Sequence, residues 1–262
     1  MTPAQVLALD PLLIDVDWGV VGIVVLKVVV AFTLLLVSVL FMVWFERKAI
    51  GDLQNRIGPN RAGPFGLFQT VADGLKFFMK EDSIPDRADR RVFVLAPYLA
   101  AVPAFLVFAV VPIGGDFSDG NRGVIRIFGH DTLMQVADPP VGILFVLAMS
   151  GIAVYGIMLA GWSSGSKYPL LGSVRASAQM VSYEAALGLS VAAVVLFSET
   201  LSTNGIVAAQ VPWGWNLWAT GLVPFVIFLI AATAELNRPP FDLAEAEQEL
   251  VGGFNTEYAS FR

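Results

Sequence analysis

Long apolar runs with few charged residues alternate with polar stretches along the chain. Five runs are near the length of about 20 residues that an α-helix needs to cross a bilayer. They cover residues 20–45, 92–111, 141–159, 176–197 and 217–234. The short alternating strands of a membrane barrel are not found in the sequence. The pattern predicts an all-α integral membrane protein, with about five transmembrane helices in a single domain, residues 1–262.

Two of the predicted spans contain a charged residue. Lys27 lies near one end of the first span, so we expect its side chain to extend to the interface. Glu184 lies about eight residues, or ~12 Å, inside the fourth span, where a charge costs ~2.5–3.5 kcal/mol. Glu184 could be part of a buried polar bridge with Gln179, Ser182 and Tyr183. A proton-relay role is the favoured interpretation, because burial makes such a carboxyl a suitable proton carrier.

A shorter apolar pattern follows Gly63-Pro64 in the polar stretch after the first span. Its apolar residues recur at helical spacing and are Leu67, Phe68, Val71, Ala72, Leu75, Phe78 and Met79. At about 14 residues the segment is too short to cross a bilayer. It predicts an amphipathic helix at the membrane interface, packed on the bundle or bordering a ligand entrance.

The stretch 235–250, directly after the fifth span, is strongly acidic. Pro239-Pro240 ends any helix arriving from the membrane, and Asp242 can cap a new helix with Glu245 completing a capping box. On that helix Asp242, Glu245 and Glu249 fall within about 60° of one another, while Glu247 lies apart. Such a pattern is typical of a solvated surface helix. Its position beside a span that ends at Glu235 keeps a functional role open.

Composition excludes several kinds of site. The 262 residues are 56% hydrophobic, and the mean hydropathy is +0.70. Without cysteine the chain can hold neither an iron–sulfur cluster nor a disulfide, and with one histidine, His130, it cannot ligate haem through two histidines. We therefore expect no metal site, and electrons for any redox reaction must arrive on another subunit. The net charge of −6 argues against binding to nucleic acid.

Lysine and arginine are distributed unevenly among the loops. More than half of the 16 basic residues lie in the stretch 46–91, between the first two spans. Positive loops remain on the cytoplasmic side of a membrane. The N-terminus is therefore predicted outside the cell, with the large first loop and the acidic stretch on the cytoplasmic side. No basic region precedes the first span, so no cleaved signal peptide is expected. The Ala-, Gly- and Val-rich composition favours a bacterial cytoplasmic (inner) membrane.

Several long motifs together resemble one family. They are FERK at 45–48, QNRIGPN at 54–60, ADGLK at 72–76, GWSSGSKY at 161–168, SYE at 182–184, and the stretch from Glu235 to Tyr258. The chain resembles, over nearly all of its length after residue 19, the membrane subunits that join the two arms of respiratory NADH:quinone oxidoreductase, complex I. The family has eight spans, and the last three would follow Arg262.

The resemblance implies two groups of site residues. The quinone entry and chamber correspond to Glu46, Arg47, Arg56, Phe68, Asp73, Lys76, Arg238 and Phe241. A path for protons towards antiporter-like subunits corresponds to Glu184, Glu235, Asp242, Glu245, Glu247, Glu249 and Glu257. Quinone is then the substrate, and NADH, FMN and the iron–sulfur clusters belong to partner subunits. The expected partners are the peripheral-arm subunits at the quinone site, small membrane subunits and lipid.

Three other functions remain open at this point. The chain could be the homologous membrane subunit of a hydrogenase or formate hydrogenlyase, where no quinone need bind. It could also be an autonomous proton-coupled transporter, or a structural anchor for a soluble redox module. The complete ERK, NRIGPN and ELNRPPFD motifs favour complex I. The lack of a visible internal repeat weakens the transporter.

Overall fold

Helices account for most of the structure. The computed structural model describes residues 10–13, 16–118, 122–211, 214–238, 240–242 and 252–260, and of Leu13 only the backbone. In chain order the elements are α1 (Trp18–Leu53), α2 (Gln69–Met79), α3 (Arg90–Phe108), β1 (Val124–Ile127), β2 (His130–Leu133), α4 (Gly142–Ser163), α5 (Lys167–Ser198), α6 (Thr203–Ala209), α7 (Asn216–Ala219) and α8 (Leu222–Glu235). The prediction of an all-α membrane protein is confirmed.

The chain forms two compact units. The first comprises the described residues of Met1–Val28 and Pro85–Glu257, and the second those of Val29–Ile84 and Tyr258–Arg262. Helix α1 therefore contributes its first residues to one unit and its remainder to the other. This division does not test the prediction of a single domain, which stays a prediction.

Four helices in the described part of the chain are long and apolar enough to cross a membrane: α1, α3, α4 and α5. Many of their large apolar side chains are exposed, as expected of surfaces that face lipid. The chain is thus a multi-pass membrane protein. Asp89 begins α3 by accepting hydrogen bonds from the backbone N–H groups of Arg91 and Val92. Pro97 and Pro103 lie inside that helix.

The fifth predicted span differs in detail from the structure. Instead of one helix over 217–234, the short helix α7 is followed by α8, which has 14 residues. Gly221 has a φ of 80° and separates the two helices. Pro224 lies in the first turn of α8, where its missing N–H would have no helical partner in any case. Helix α8 alone is about 21 Å long, against a bilayer core of about 30 Å.

Close packing in the first unit depends on small residues. Helices α3 and α4, α4 and α5, and α5 and α8 pack against one another. A methyl group added at Gly156 of α4 would lie 2.7 Å from the backbone nitrogen of Ala100 on α3. No side chain fits at that crossing without moving a helix. Buried residues of α4 and α5 form an apolar cluster, against which Phe254 packs: Val154, Ile157, Ala176 and Met180.

The loop between α3 and α4 contains a β-hairpin that the sequence did not predict. Strands β1 and β2 pair in antiparallel register, with Ile125 opposite Thr132. The turn residues Phe128 and Gly129 have φ values of 49° and 91°, as hairpin turns of type I′ require at both positions. His130 begins β2, and its Nε2 would lie 3.3 Å from a methyl group at Gly19 of α1. The hairpin therefore lies beside the start of α1.

The second unit contains the predicted amphipathic helix. Helix α2 follows a 3₁₀ turn at Pro64–Gly66, and its apolar residues remain largely exposed, which confirms the helix. Two side-chain contacts tie this region to α1: the Trp44 indole N–H donates to the carbonyl of Phe65, and the Thr70 hydroxyl donates to that of Leu40. At the other end of α2, the Ser260 hydroxyl lies 2.9 Å from the carbonyl of Phe77.

Candidate functional site

Two acidic side chains from different helices meet against α4 in the first unit. Glu184 lies in the middle part of α5, and Glu235 is the last residue of α8. The Ser150 hydroxyl of α4 donates a hydrogen bond to Oε1 of Glu235. A methyl group at the next residue, Gly151, would lie 3.2 Å from Oε1 of Glu184. Adjacent positions of α4 therefore contact both carboxyls, which form one acidic site. We call them the Glu184–Glu235 pair.

Residues that could have bridged Glu184 have other partners. The Gln179 side chain donates to the carbonyl of Phe241 at 2.7 Å, and the Tyr183 ring meets the Phe241 ring edge-on at 5.0 Å between centroids. The Ser182 hydroxyl donates to the carbonyl of Ala178 in its own helix. Gln179 and Tyr183, one helical turn apart, therefore hold the segment that follows α8 against α5.

The segment after α8 turns sharply and contains unpaired polar atoms. Asn237 has a φ of 51°, and the backbone N–H of Phe241 donates to the carbonyl of Arg238 at 2.8 Å. The side-chain oxygens Oδ1 of Asn237 and Oδ1 of Asp242 are buried and accept no hydrogen bond from the described residues. Buried polar atoms ordinarily have a partner, so these two oxygens make the segment that follows Glu235 locally polar.

The rest of the predicted proton path is described only in part. The helix predicted from Asp242 onwards, with Glu245, Glu247 and Glu249, lies outside the described residues. Glu257 is partly buried, and it ends a turn that begins with Phe254, the residue packed on the α4–α5 cluster. A methyl group at Gly172 of α5 would lie 2.9 Å from the backbone of Gly253, so a small residue is needed there. The segment 252–257 therefore packs against α5.

In the second unit, an ion pair joins α1 to α2. Arg47 Nη1 lies 2.5 Å from Oδ2 of Asp73, and the other oxygen of Asp73 accepts from Gln69 at 3.0 Å. Lys76 Nζ is 3.5 Å from that same oxygen. The hydrogen bond from Arg47 is the main reason that the pKa of Asp73 lies below its ordinary value of 3.8. Asp73 is therefore a carboxylate at neutral pH.

The other residues of the predicted quinone group lie at different places in the structure. The Arg56 guanidinium donates to the Gln54 side chain at 2.7 Å, while Phe68 precedes α2 with 59% of its surface exposed. Glu46 is half-buried near the end of α1. Arg238 and Phe241 belong to the first unit. The structure thus brings together Arg47, Asp73 and Lys76 of the predicted set.

The sequence did not single out Ser150 and Gly151. Serines in membrane helices commonly donate to a carbonyl one turn earlier in the same helix, as Ser163 and Ser190 do here. A serine and a glycine in an apolar run therefore carry no signal of their own. Only the packing of α4 beside α5 and α8 distinguishes them.

A second group of buried charges lies in the first unit, around the loop between α3 and α4. Lys27 Nζ is 2.6 Å from Oδ2 of Asp10 and 2.5 Å from the hydroxyl of Thr132. The Lys27 and Asp10 side chains are only 10% and 9% exposed, so Lys27 forms a buried ion pair, and its extension to the membrane interface stays a prediction. Nearby, burial raises the pKa of Asp138, although the Ser202 hydroxyl donates to this carboxyl at 2.8 Å.

Comparison with known proteins shows one family. The family model described as NADH dehydrogenase matches residues 26–262. The chain is 52% identical over 240 residues to the H subunit of NADH-quinone oxidoreductase from Frankia alni, and 49% identical over 241 residues to that from Streptomyces avermitilis. Each alignment covers 91% of this chain and 51% of the relative. The chain therefore spans about half the length of the curated relatives it matches.

Proposed function

Because this chain belongs to the NADH dehydrogenase family, we propose that it is a membrane subunit of a proton-pumping NADH:quinone oxidoreductase. In this proposal it forms the quinone entry and chamber, together with an acidic path that carries protons towards antiporter-like subunits. NADH, FMN and the iron–sulfur clusters belong to peripheral partner subunits. For the clusters, the reason is that this chain has no cysteine to ligate them. Quinone is the substrate of the assembled enzyme.

The observation that carries the proposal is the Glu184–Glu235 pair. Two carboxyls from α5 and α8 approach each other beside apolar helices, where a charge is costly. Carboxyl groups inside a membrane bundle commonly form proton relays, and two of them at one site provide neighbouring positions for a proton. Such a pair can take up a proton when a nearby reaction demands it and release the proton onwards.

The second unit supports the quinone entrance. Helix α2 has exposed apolar side chains, and Phe68 is exposed just before it, on a segment too short to cross a bilayer. An apolar quinone in the membrane can approach along such a surface. The Arg47–Asp73 pair fixes α2 to α1 and keeps polar groups near the entrance for the quinone headgroup. Quinone reduction takes up protons as well as electrons, which links this reaction to the proton path.

The proposed location is the bacterial cytoplasmic membrane, with the N-terminus outside and the basic stretch 46–91 on the cytoplasmic side. The partners are peripheral-arm subunits, small membrane subunits and lipid. The names of the two relatives favour this assignment over the hydrogenase or formate hydrogenlyase subunit. Gentle purification separates these functions: copurification with flavin and iron–sulfur subunits and NADH:quinone activity support the proposal, whereas hydrogenase subunits contradict it.

The proton path is tested by Glu184→Gln, which keeps the side-chain shape but removes the ionisable proton. We expect NADH:quinone turnover and proton pumping to fall together by at least about tenfold, since proton transfer groups commonly contribute 10²–10⁴-fold. The measurement is made in proteoliposomes and normalised to the amount of assembled complex. The matched control is Glu199→Gln at the C-terminal end of the same helix, which should retain activity. Full turnover and pumping in Glu184→Gln would refute the proposed path.

A further inference from the structure

Ser150 departs from the usual behaviour of a serine in a membrane helix. Ser163, Ser182 and Ser190 donate to carbonyls of their own helices. Ser150 instead donates across to Oε1 of Glu235, a residue 85 positions later in the chain. A hydroxyl that gives up its local carbonyl for a distant carboxyl ties α4 to the end of α8 at this point.

The orientation of the Glu235 carboxyl group depends on this hydrogen bond. Its second oxygen, Oε2, is buried and accepts no hydrogen bond from the described residues. An unpaired buried oxygen does not fix the orientation of a carboxyl group, so the orientation rests on the hydrogen bond at Oε1. The neighbouring residue Gly151, also on α4, leaves space for Oε1 of Glu184. Adjacent positions of α4 therefore serve both acids of the pair.

Serine suits a carboxyl that changes its protonation state. Its hydroxyl has one donor hydrogen and two acceptor lone pairs. It can donate to Glu235 when the carboxyl is ionised, and by rotating it can accept from Glu235 when the carboxyl is protonated. In both states the hydroxyl keeps its own proton, so Ser150 orients the acid without becoming an intermediate carrier.

We propose that Ser150 is a positioning residue that holds Glu235 in the orientation required for proton exchange with Glu184, while Gly151 leaves the space that Glu184 needs. This inference rests on the proposed function of the pair as part of a proton path. Ser150 differs from the acids themselves because it adds no ionisable group. Its hydroxyl keeps the Glu235 carboxyl in one orientation whether that carboxyl is ionised or protonated.

The test compares Ser150→Ala, which removes the hydroxyl, with Ser150→Thr, which keeps it. In the assembled complex in proteoliposomes, we expect Ser150→Ala to lower the maximal rate of coupled quinone turnover about tenfold, as for loss of one hydrogen bond to a charged group. The KM for quinone should stay unchanged and the pH profile should shift, because the acid path and not quinone binding is affected. Ser150→Thr should restore most of the rate and the original pH profile. The control is Ser190→Ala, which removes a buried hydroxyl that donates to the Leu187 carbonyl within α5.

A spectroscopic measurement separates failure of this inference from failure of the proposed function. Infrared difference spectra of the same complex report the carboxyl stretching band of Glu235, assigned by its loss in Glu235→Gln. We expect that band to move in Ser150→Ala and to stay in place in Ser190→Ala. An unmoved band, or wild-type turnover and pH profile in Ser150→Ala while Glu184→Gln is inactive, would overturn the positioning role and leave the proton path standing. A moved band with full activity in both Ser150→Ala and Glu184→Gln would overturn the proton path itself.

Discussion

Removing the Arg47–Asp73 pair should loosen α2 by a predictable amount. A hydrogen bond to a charged group contributes about 1.5–3 kcal/mol when protected, whereas exposed ion pairs contribute about 0.2–1 kcal/mol. The Arg47 side chain is 48% exposed and Asp73 is 24% exposed, so solvent screens much of this attraction. We therefore expect a coupling free energy of about 1 kcal/mol, which corresponds to about a fivefold change in the equilibrium for detaching α2 from α1.

The perturbation is a double-mutant cycle of Arg47→Gln and Asp73→Asn in the assembled complex. Hydrogen exchange of the α2 amides measures the detachment equilibrium. Each single variant should exchange about fivefold faster than the wild type, and the double variant little faster than either. Lys76→Gln is the matched control, because Lys76 is 75% exposed and its nitrogen lies 3.5 Å from Asp73. Its exchange rate should match the wild type.

Salt and pH provide further checks on the same pair. The difference in hydrogen-exchange rate between each single variant and the wild type should shrink at high ionic strength, because exposed charges are screened. The pKa of Asp73 is lowered in the folded protein, so its stabilising effect is fully present above the ordinary value of 3.8 and is lost as the pH falls through the lower folded pKa. The difference should therefore be constant around neutral pH. Additive single-variant effects, or an equal response to Lys76→Gln, would refute the assigned pairing.

The fold and the sequence support three other predictions. A single cysteine placed at Ser118 should be labelled from outside the cell and one at Asn60 only after permeabilisation; the reverse pattern would contradict the proposed orientation. Phe68→Asp should raise the apparent KM for quinone without slowing NADH oxidation by a soluble artificial acceptor, and equal loss of both activities would assign α2 to assembly. Lys27→Met should destabilise the first unit by about 3–5 kcal/mol in thermal unfolding, because Asp10 is left buried without its cation, and adding Asp10→Asn should recover most of that loss; no recovery would contradict the pairing.

Elements with a local cause could be predicted from the sequence. Apolar runs of sufficient length and few charges can cross a bilayer whatever their neighbours are, so the four long spans followed from composition and order. Helical spacing of Leu67, Phe68 and Val71 likewise predicted α2, because the period of apolar residues is a property of the segment itself. The position of Glu184 inside a span followed from the apolar pattern, and the cost of a charge there made the residue a candidate.

Local conformations at single residues limited even these predictions. The break between α7 and α8 depends on the left-handed backbone at Gly221, and a glycine in an apolar run is equally compatible with a continuous helix. The hairpin between α3 and α4 depends on positive φ values at Phe128 and Gly129. Phenylalanine rarely adopts such a conformation, so its presence gave no turn signal.

Which side chains meet depends on how the helices pack, and that packing cannot be recognised from the sequence pattern alone. Ser150 contacts Glu235 across 85 residues, Gln179 contacts Phe241 across 62, and Lys27 contacts Asp10 from a different segment. The sequence places each residue along its own helix. The rotation and offset of one helix against the next come from how small residues such as Gly156 let the helices approach. The acids of the proposed proton path could therefore be named from the sequence, whereas the serine that orients one of them became visible only when α4, α5 and α8 were packed together.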